Sequence, residues 1–236
     1  MKKFLIGLAL VVGIMILAFR SAYPTFSWNQ KVTVTVNTPN GEASASSVGR
    51  MVVSEKVSLG LAEAGGINSD FEGEAVVIAL PNERYLFSLI SGATSFSLEV
   101  FGDVPGVRKE ADGSFVQWDE SARRIQNLVG AKAFPSEHLP MLVTFDDIND
   151  PTSVKEVDPA NLAATLGEGY SLKSVTLEIT TEAITQGEVV KVLGWLYSHK
   201  YRLKSPDLRL GKGPHAASDI LPEEELRRSN FIRSPK

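Results

Sequence analysis

The sequence contains no cysteine. That excludes disulfides, a thiolate metal site, a thiol nucleophile and anchoring through a lipid-modified cysteine. An exported chain without disulfides needs a core large enough to fold unstapled. Histidine is nearly as scarce. His138, His199 and His215 are the three, spaced so widely that only folding could pair them. A basic excess is also missing. Lys and Arg total 24 against 28 Asp and Glu, a formal net charge of −4. This argues against a nucleic-acid binder, which normally carries a basic face. The familiar catalytic spacings are absent too. There is no G-x-S-x-G, no Ser followed three residues later by Lys, no H-E-x-x-H, and no G-x-G-x-x-G after a strand. Gly211-Lys212-Gly213 has the look of a phosphate loop but lacks its preceding glycine and following Ser or Thr. No repeat of solenoid or propeller period is seen.

What is present begins at the amino terminus. Residues 4–19, from Phe4 to Phe19, carry no charge. Lys2 and Lys3 precede the run and Arg20 closes it. As a helix the run covers roughly 24 Å, against about 30 Å for a bilayer's hydrocarbon core. Arg20 can lift its head to the interface and lengthen the usable span. Tyr23 and Trp28 sit where an aromatic belt belongs. The rival reading is a cleaved secretory signal ending at Ala22. It has the basic start and the apolar centre, but Arg20 occupies a position that should be small. A buried core helix is the third reading. As an anchor, the segment predicts a single pass through the inner membrane. The positive-inside rule keeps Lys2 and Lys3 cytoplasmic and the body periplasmic.

The body reads as strands. Val32, Val34 and Val36 alternate with Lys31, Thr33 and Thr35, as in a half-buried antiparallel strand. Thr38-Pro39-Asn40-Gly41 is a turn, and Glu42 to Val53 returns as a hairpin arm. Ala43 to Ser47 forms a small-residue stretch, read as a polar edge face or as a place of close approach. Residues 62–71 read as a loop. Gly73 to Leu80, apolar on both faces, predicts a central strand. Pro81 to Arg84 turns the chain into Tyr85 to Ile90. Phe96 to Val100 alternates again and predicts a strand. Asp119 caps a predicted helix reaching Val129, with Gly130 as its stop. Leu139 to Phe145 is a strand, and Thr152 to Val157 a short extended piece. Asp158, Pro159 and Gly167 bound a second helix. Leu172 to Thr180 alternates cleanly, and residues 189–201 form a last apolar segment.

The expected fold is therefore α+β and β-rich: an antiparallel sandwich-like domain with two small helices, preceded by one N-terminal transmembrane helix. The expected divisions are an anchor over residues 1–22, a periplasmic body over 23–204 and a polar, flexible tail over 205–236. Within that tail, Glu223 to Arg228 reads as a solvated helical turn.

One dense carboxylate cluster occurs, Asp146, Asp147 and Asp150. Hard cations take several oxygen ligands, and Asp147-Ile148-Asn149-Asp150 is like the start of a calcium loop. Pro151 interrupts it, no closing Glu follows at the right spacing, and Asp or Asn before Pro also forms ordinary turns. His138 precedes these aspartates along one strand and could reach the same sheet end. No catalytic, cofactor-binding or metal-ligating residue is assigned, and no cofactor is expected.

Two stretches, Trp28 to Val36 with its Thr-Pro-x-Gly turn, and Phe145 to Pro151 through Val157-Asp158-Pro159 to Leu172, resemble a group of uncharacterised membrane-anchored proteins of Gram-negative bacteria, a domain of unknown function. The resemblance implies an anchored envelope protein and transfers no catalytic residue. The expected function is a membrane-anchored, periplasm-facing binding domain. Its partners are the lipid bilayer, through the N-terminal helix, and an envelope protein; nucleic acid is not expected. The alternatives are an envelope hydrolase using Asp146 or Asp147 in acid–base roles and a carrier of a small apolar ligand.

Overall fold

A computed structural model describes residues 2–56, 66–197, 203–204, 225–226 and 228–234. The chain opens with helix α1 (Lys2–Ala22). Strands β1 (Thr25–Thr38) and β2 (Gly41–Glu55) form a long hairpin, followed by β3 (Ile67–Glu74), β4 (Val76–Leu80) and β5 (Arg84–Ser88). Helices α2 (Phe96–Phe101) and α3 (Trp118–Ile125) come next, then β6 (Ala131–Ala133), β7 (Leu142–Phe145) and β8 (Val154–Val157). Helix α4 (Leu162–Leu166), strand β9 (Ser171–Thr180) and helix α5 (Glu188–Val192) follow. The two-residue strands β10 (Leu203–Lys204) and β11 (Glu225–Leu226) pair with each other, and α6 (Arg228–Phe231) leads into β12 (Ile232–Arg233).

Two antiparallel sheets make the body. The first runs β12-β3-β2-β1-β9-β6 and the second β4-β5-β7-β8. The β-rich, sandwich-like architecture is the expected one. Strand β1 pairs along its whole length with β2, and from Asn29 to Asn37 with β9. Its alternation places Phe26, Trp28, Val32, Val34 and Val36 inward, against Val76, Ile78, Leu80 and Leu86 of the second sheet. Leu177 and Val175 of β9 join this core, with Phe96 and Val100 of α2 and Leu162 and Leu166 of α4.

The second sheet is covered on both faces. Its other side carries Phe87, Leu89, Val143, Phe145 and Val154, packed against Val189, Leu193 and Phe231. Hence β4 reads as an unbroken apolar run, the pattern of a strand buried on both faces. This corrects the expected central strand. Gly73 and Glu74 belong to β3, and β4 is the edge strand of its sheet. Apolarity on both faces reports two covering layers here, not a central place in the order.

Other expectations also shift. Phe96 to Val100 is helical, because Phe96, Ser97, Val100 and Phe101 are the buried positions and Leu98 is exposed. That i, i+1, i+4, i+5 spacing is one face of a helix. Ser97 then reaches the core, where its hydroxyl donates to Gln30 Oε1 at 2.6 Å and accepts from Trp28 Nε1 at 3.0 Å. Trp28, expected at the lipid interface, is thus a core residue. The second predicted helix shortens to α4, since Asp158 instead accepts from the Ala160 N–H at 2.8 Å in a turn before it. Helix α3 starts at Trp118 with Gln117 as its cap and ends before Val129. Within the loop expected over 62–71, Ile67 to Phe71 is strand and Gly66 O accepts from the Lys56 N–H at 2.8 Å; residues 62–65 lie outside the described residues. Close approach to the first sheet occurs two residues past the Ala43–Ser47 stretch, at Gly49. A Cβ there would stand 2.1 Å from Phe71 Cζ, so only glycine admits the ring.

The carboxyl-terminal residues differ most from expectation. They were expected in a tail beyond 204, yet Arg228–Arg233 lies against the body. Strand β12 pairs with β3, the Ala75 N–H donates to Phe231 O at 2.7 Å, and the Ile90 N–H donates to Asn230 O at 2.9 Å. Phe231 is fully buried, with edge-on contacts to Phe87 at 5.9 Å. One aromatic side chain in a polar segment suffices, because the second sheet needs its outer face closed. At the amino terminus a helix is present over Lys2–Ala22, but among the described residues no helix is long and apolar enough to cross a membrane.

Replacing Phe231 with Ala empties that position. Large-to-small changes of this kind cost about 3–5 kcal/mol. The urea midpoint of the full-length chain in detergent should fall accordingly, whereas an equally stable F231A variant would mean the segment does not close the core.

Candidate functional site

Strand β7 ends at Phe145, and the aspartates follow in the loop to β8. Each is engaged locally. Asp146 Oδ2 pairs with Lys155 Nζ at 2.6 Å across the β7–β8 hairpin. Asp147 Oδ1 accepts from the Asn149 N–H at 2.9 Å. Asp150 Oδ1 accepts from the Thr152 N–H at 2.9 Å and the Thr152 hydroxyl at 2.7 Å, which caps the 3-10 turn Pro151–Ser153. The Thr152 hydroxyl and N–H hold the Asp150 carboxyl below the ordinary carboxylate range. His138 closes a 3-10 turn before β7, so β7 itself separates it from Asp146. The expected meeting of histidine and aspartate at one sheet end does not occur. Among the described residues no three His, Asp or Glu side chains converge as metal ligands. His199, His215 and Gly211–Gly213 lie outside the described residues.

The one buried carboxylate among the described residues escaped the sequence reading. Glu74 ends β3 and is 3% exposed. Its oxygens accept from the N–H groups of Gly187 at 3.0 Å and Glu188 at 2.9 Å, at the start of α5. Its carbonyl accepts from the Ser47 hydroxyl at 2.7 Å. Glu74 therefore fastens α5, and with it Val189 and Leu193, over the outer core. Nothing in the local sequence separates this Glu from its neighbour Glu72. A polar cleft of about 230 Å³ lies beside it, lined by Glu72, Thr185, Gln186, Tyr197 and Arg233 among others.

A larger cleft, about 520 Å³, runs along α3. Val104, Pro105 and Leu128 form its apolar side, and Glu120, Arg123, Arg124 and Asn127 its polar side. Arg124 lies across Gly106, where φ is +83° and a Cβ would stand 3.1 Å from Arg124 Nε. Arg123 pairs loosely with Asp119 at 3.9 Å and stands 5.7 Å from the Phe26 ring centroid. Trp118 meets the same ring edge-on at 5.9 Å. These contacts put α3 at the start of β1, which leaves α1 after only Tyr23 and Pro24. The strand rises about 3.3 Å per residue, so its 14 residues carry the β1–β2 turn more than about 40 Å away.

A short hairpin precedes α3. Lys109 and Phe115 are bridged, and the Glu110 N–H donates to Ser114 O at 2.9 Å. Asp112 accepts from the Ser114 hydroxyl at 2.7 Å and N–H at 2.9 Å, which holds its carboxyl below the ordinary range. Phe115 is 83% exposed, with Lys109 Nζ 5.1 Å from its ring centroid. At the other end of the helix Val129 is 96% exposed. Comparison with protein-family models, curated proteins and solved structures finds no match for this chain.

Glu74→Ala strands the α5 N–H groups, a loss of about 1–3 kcal/mol, and amide exchange of Glu188 and Val189 should quicken more than that of β1. Asp150 has a depressed pKa, so the loop's stabilisation is complete above the ordinary carboxylate value and fades as pH falls through the depressed one. Carboxyl NMR titration should place its midpoint below that of an ordinary Asp, and Thr152→Ala should raise it.

Proposed function

We propose that this protein is a binding domain tethered to the inner membrane by α1, with Lys2 and Lys3 on the cytoplasmic side and the β-rich body in the periplasm. The observation that carries the reading is the coat of α1. Leu5, Ile6, Leu8, Leu10, Ile14 and Met15 are each more than half exposed, and successive residues step around a helix by about 100°. Apolar side chains on every side, uncovered by the body, suit lipid better than water. The uncharged run from Phe4 to Phe19 is close to a span's length, and Arg20 supplies the interfacial end. The resemblance to membrane-anchored envelope proteins is consistent with this.

Binding, rather than chemistry, is favoured by how the candidate side chains are used. Asp146 is paired to Lys155, Asp147 turns back on its own loop, and neither lines the two clefts. A hydrolase built on them would need one to face a concavity. A carrier of an apolar ligand would need room between the sheets, where Val34, Val36, Leu86 and Leu177 are fully buried in packed contact. Both points favour a binding role, with an envelope protein as the partner.

In cells, the full chain should resist alkaline extraction from membranes and be digested by protease added to the periplasmic side. Leu10→Arg, which places a charge at mid-run at a cost of about 2.5–3.5 kcal/mol, should shift it toward the soluble fraction. A wild-type chain released by alkali would refute the tether.

A further inference from the structure

Resting on the tether reading, we propose that the α3 end of the body lies on the phospholipid surface, with headgroup phosphates in the α3 cleft and with Phe115 and Val129 at the acyl boundary. Three independent features meet there. The first is position. Phe26 follows Ala22 by four residues, at most about 14 Å of chain, and Phe26 carries Trp118 and Arg123 of α3 on its ring. The helix is therefore held beside the point where the chain would leave the bilayer. The bilayer's polar zone is about 5–8 Å deep on each side.

The second is apolar exposure. Phe115 and Val129 are the most exposed large hydrophobic side chains among the described residues, and they bracket α3 at either end. Phe115 stands on a hairpin stiffened by Asp112, so it is presented on a formed element. An exposed aromatic beside a lysine suits an interface where the ring enters lipid and the ammonium stays with the headgroups.

The third is charge. The lining of the cleft between these posts carries two guanidinium groups, Arg123 and Arg124, and one carboxylate, Glu120; Asp119 stands 3.9 Å from Arg123 and leaves Arg124 as the guanidinium outside that pair. Guanidinium groups bind phosphate oxygens through paired N–H donors. Lys132, further along, is paired with Asp103 and is not needed. Apolar posts around a cleft lined by guanidinium groups match the order of a bilayer surface, phosphate outside acyl chain.

The absence of cysteine makes the test direct. An environment-sensitive dye is attached singly at Leu10→Cys, Ala111→Cys, Val129→Cys or Asn40→Cys in the full-length chain. The protein is reconstituted in vesicles of phosphatidylcholine and phosphatidylglycerol carrying a spin-labelled phospholipid. Dyes at L10C, A111C and V129C should be strongly quenched, and the dye at N40C, on the far turn, should stay bright. Adding Phe115→Ser or Arg124→Gln should restore much of the emission at V129C and leave L10C quenched. If L10C is quenched while A111C and V129C are as bright as N40C, the tether stands and the surface contact is overturned. A bright L10C overturns both.

Discussion

The structure depends on a sheet that has no polar face. Strands β4, β5, β7 and β8 carry large apolar side chains on both sides, and neither side tolerates water. One side is satisfied by the six-stranded sheet, through the inward row of β1. Among the described residues no sheet covers the other. It is closed by pieces gathered from far along the chain: α5, the turn holding Trp195, and Phe231. Each piece is too short to hold itself in place, since isolated helices of a turn or two are unstable in water. Each is therefore fixed by a specific polar contact. Glu74 receives the first N–H groups of α5, Ile148 O accepts the Trp195 indole N–H at 2.8 Å, and Ala75 and Ile90 bind the backbone on either side of Phe231.

The inner core uses polar contacts similarly. Trp28, Ser97, Gln30 and Ala93 form a buried chain of hydrogen bonds in which each side-chain group meets a partner. It fixes α2 against β1 in one register. Satisfied buried networks specify geometry, whereas the same groups unpaired would be costly. At the far end Arg84 does comparable work. It donates to Leu166 O at 2.9 Å and Tyr170 Oη at 2.8 Å, joining the β4–β5 turn to the loop before β9.

Elements set by local chemistry could be read from the residues. The β1–β2 turn, the β9 alternation and the end of α4 at Gly167 all follow from nearest neighbours. So does the modest role of the aspartates, because Asp150 before Pro151 caps its own turn. The misread elements are those decided by distant partners. Phe96 to Val100 has a period-two apolar pattern, but Ser97, which a strand there would turn to solvent, is drawn inward by Gln30. Glu74 looks like any surface glutamate until α5 arrives more than a hundred residues later. Phe231 sits in a stretch too polar to suggest a core. The α3 cleft is decided the same way: only the fold sets Arg123 beside the Phe26 ring and Arg124 across Gly106.

Strand β1 has one further property. It is the first strand after α1, yet it occupies an interior place in its sheet, bonded to β2 on one flank and β9 on the other. A pull on its amino-terminal end acts along the strand axis. The rungs on both flanks then share the load in shear and do not open one after another like a zipper. Tension applied at that end is thus resisted along the whole paired length of the strand.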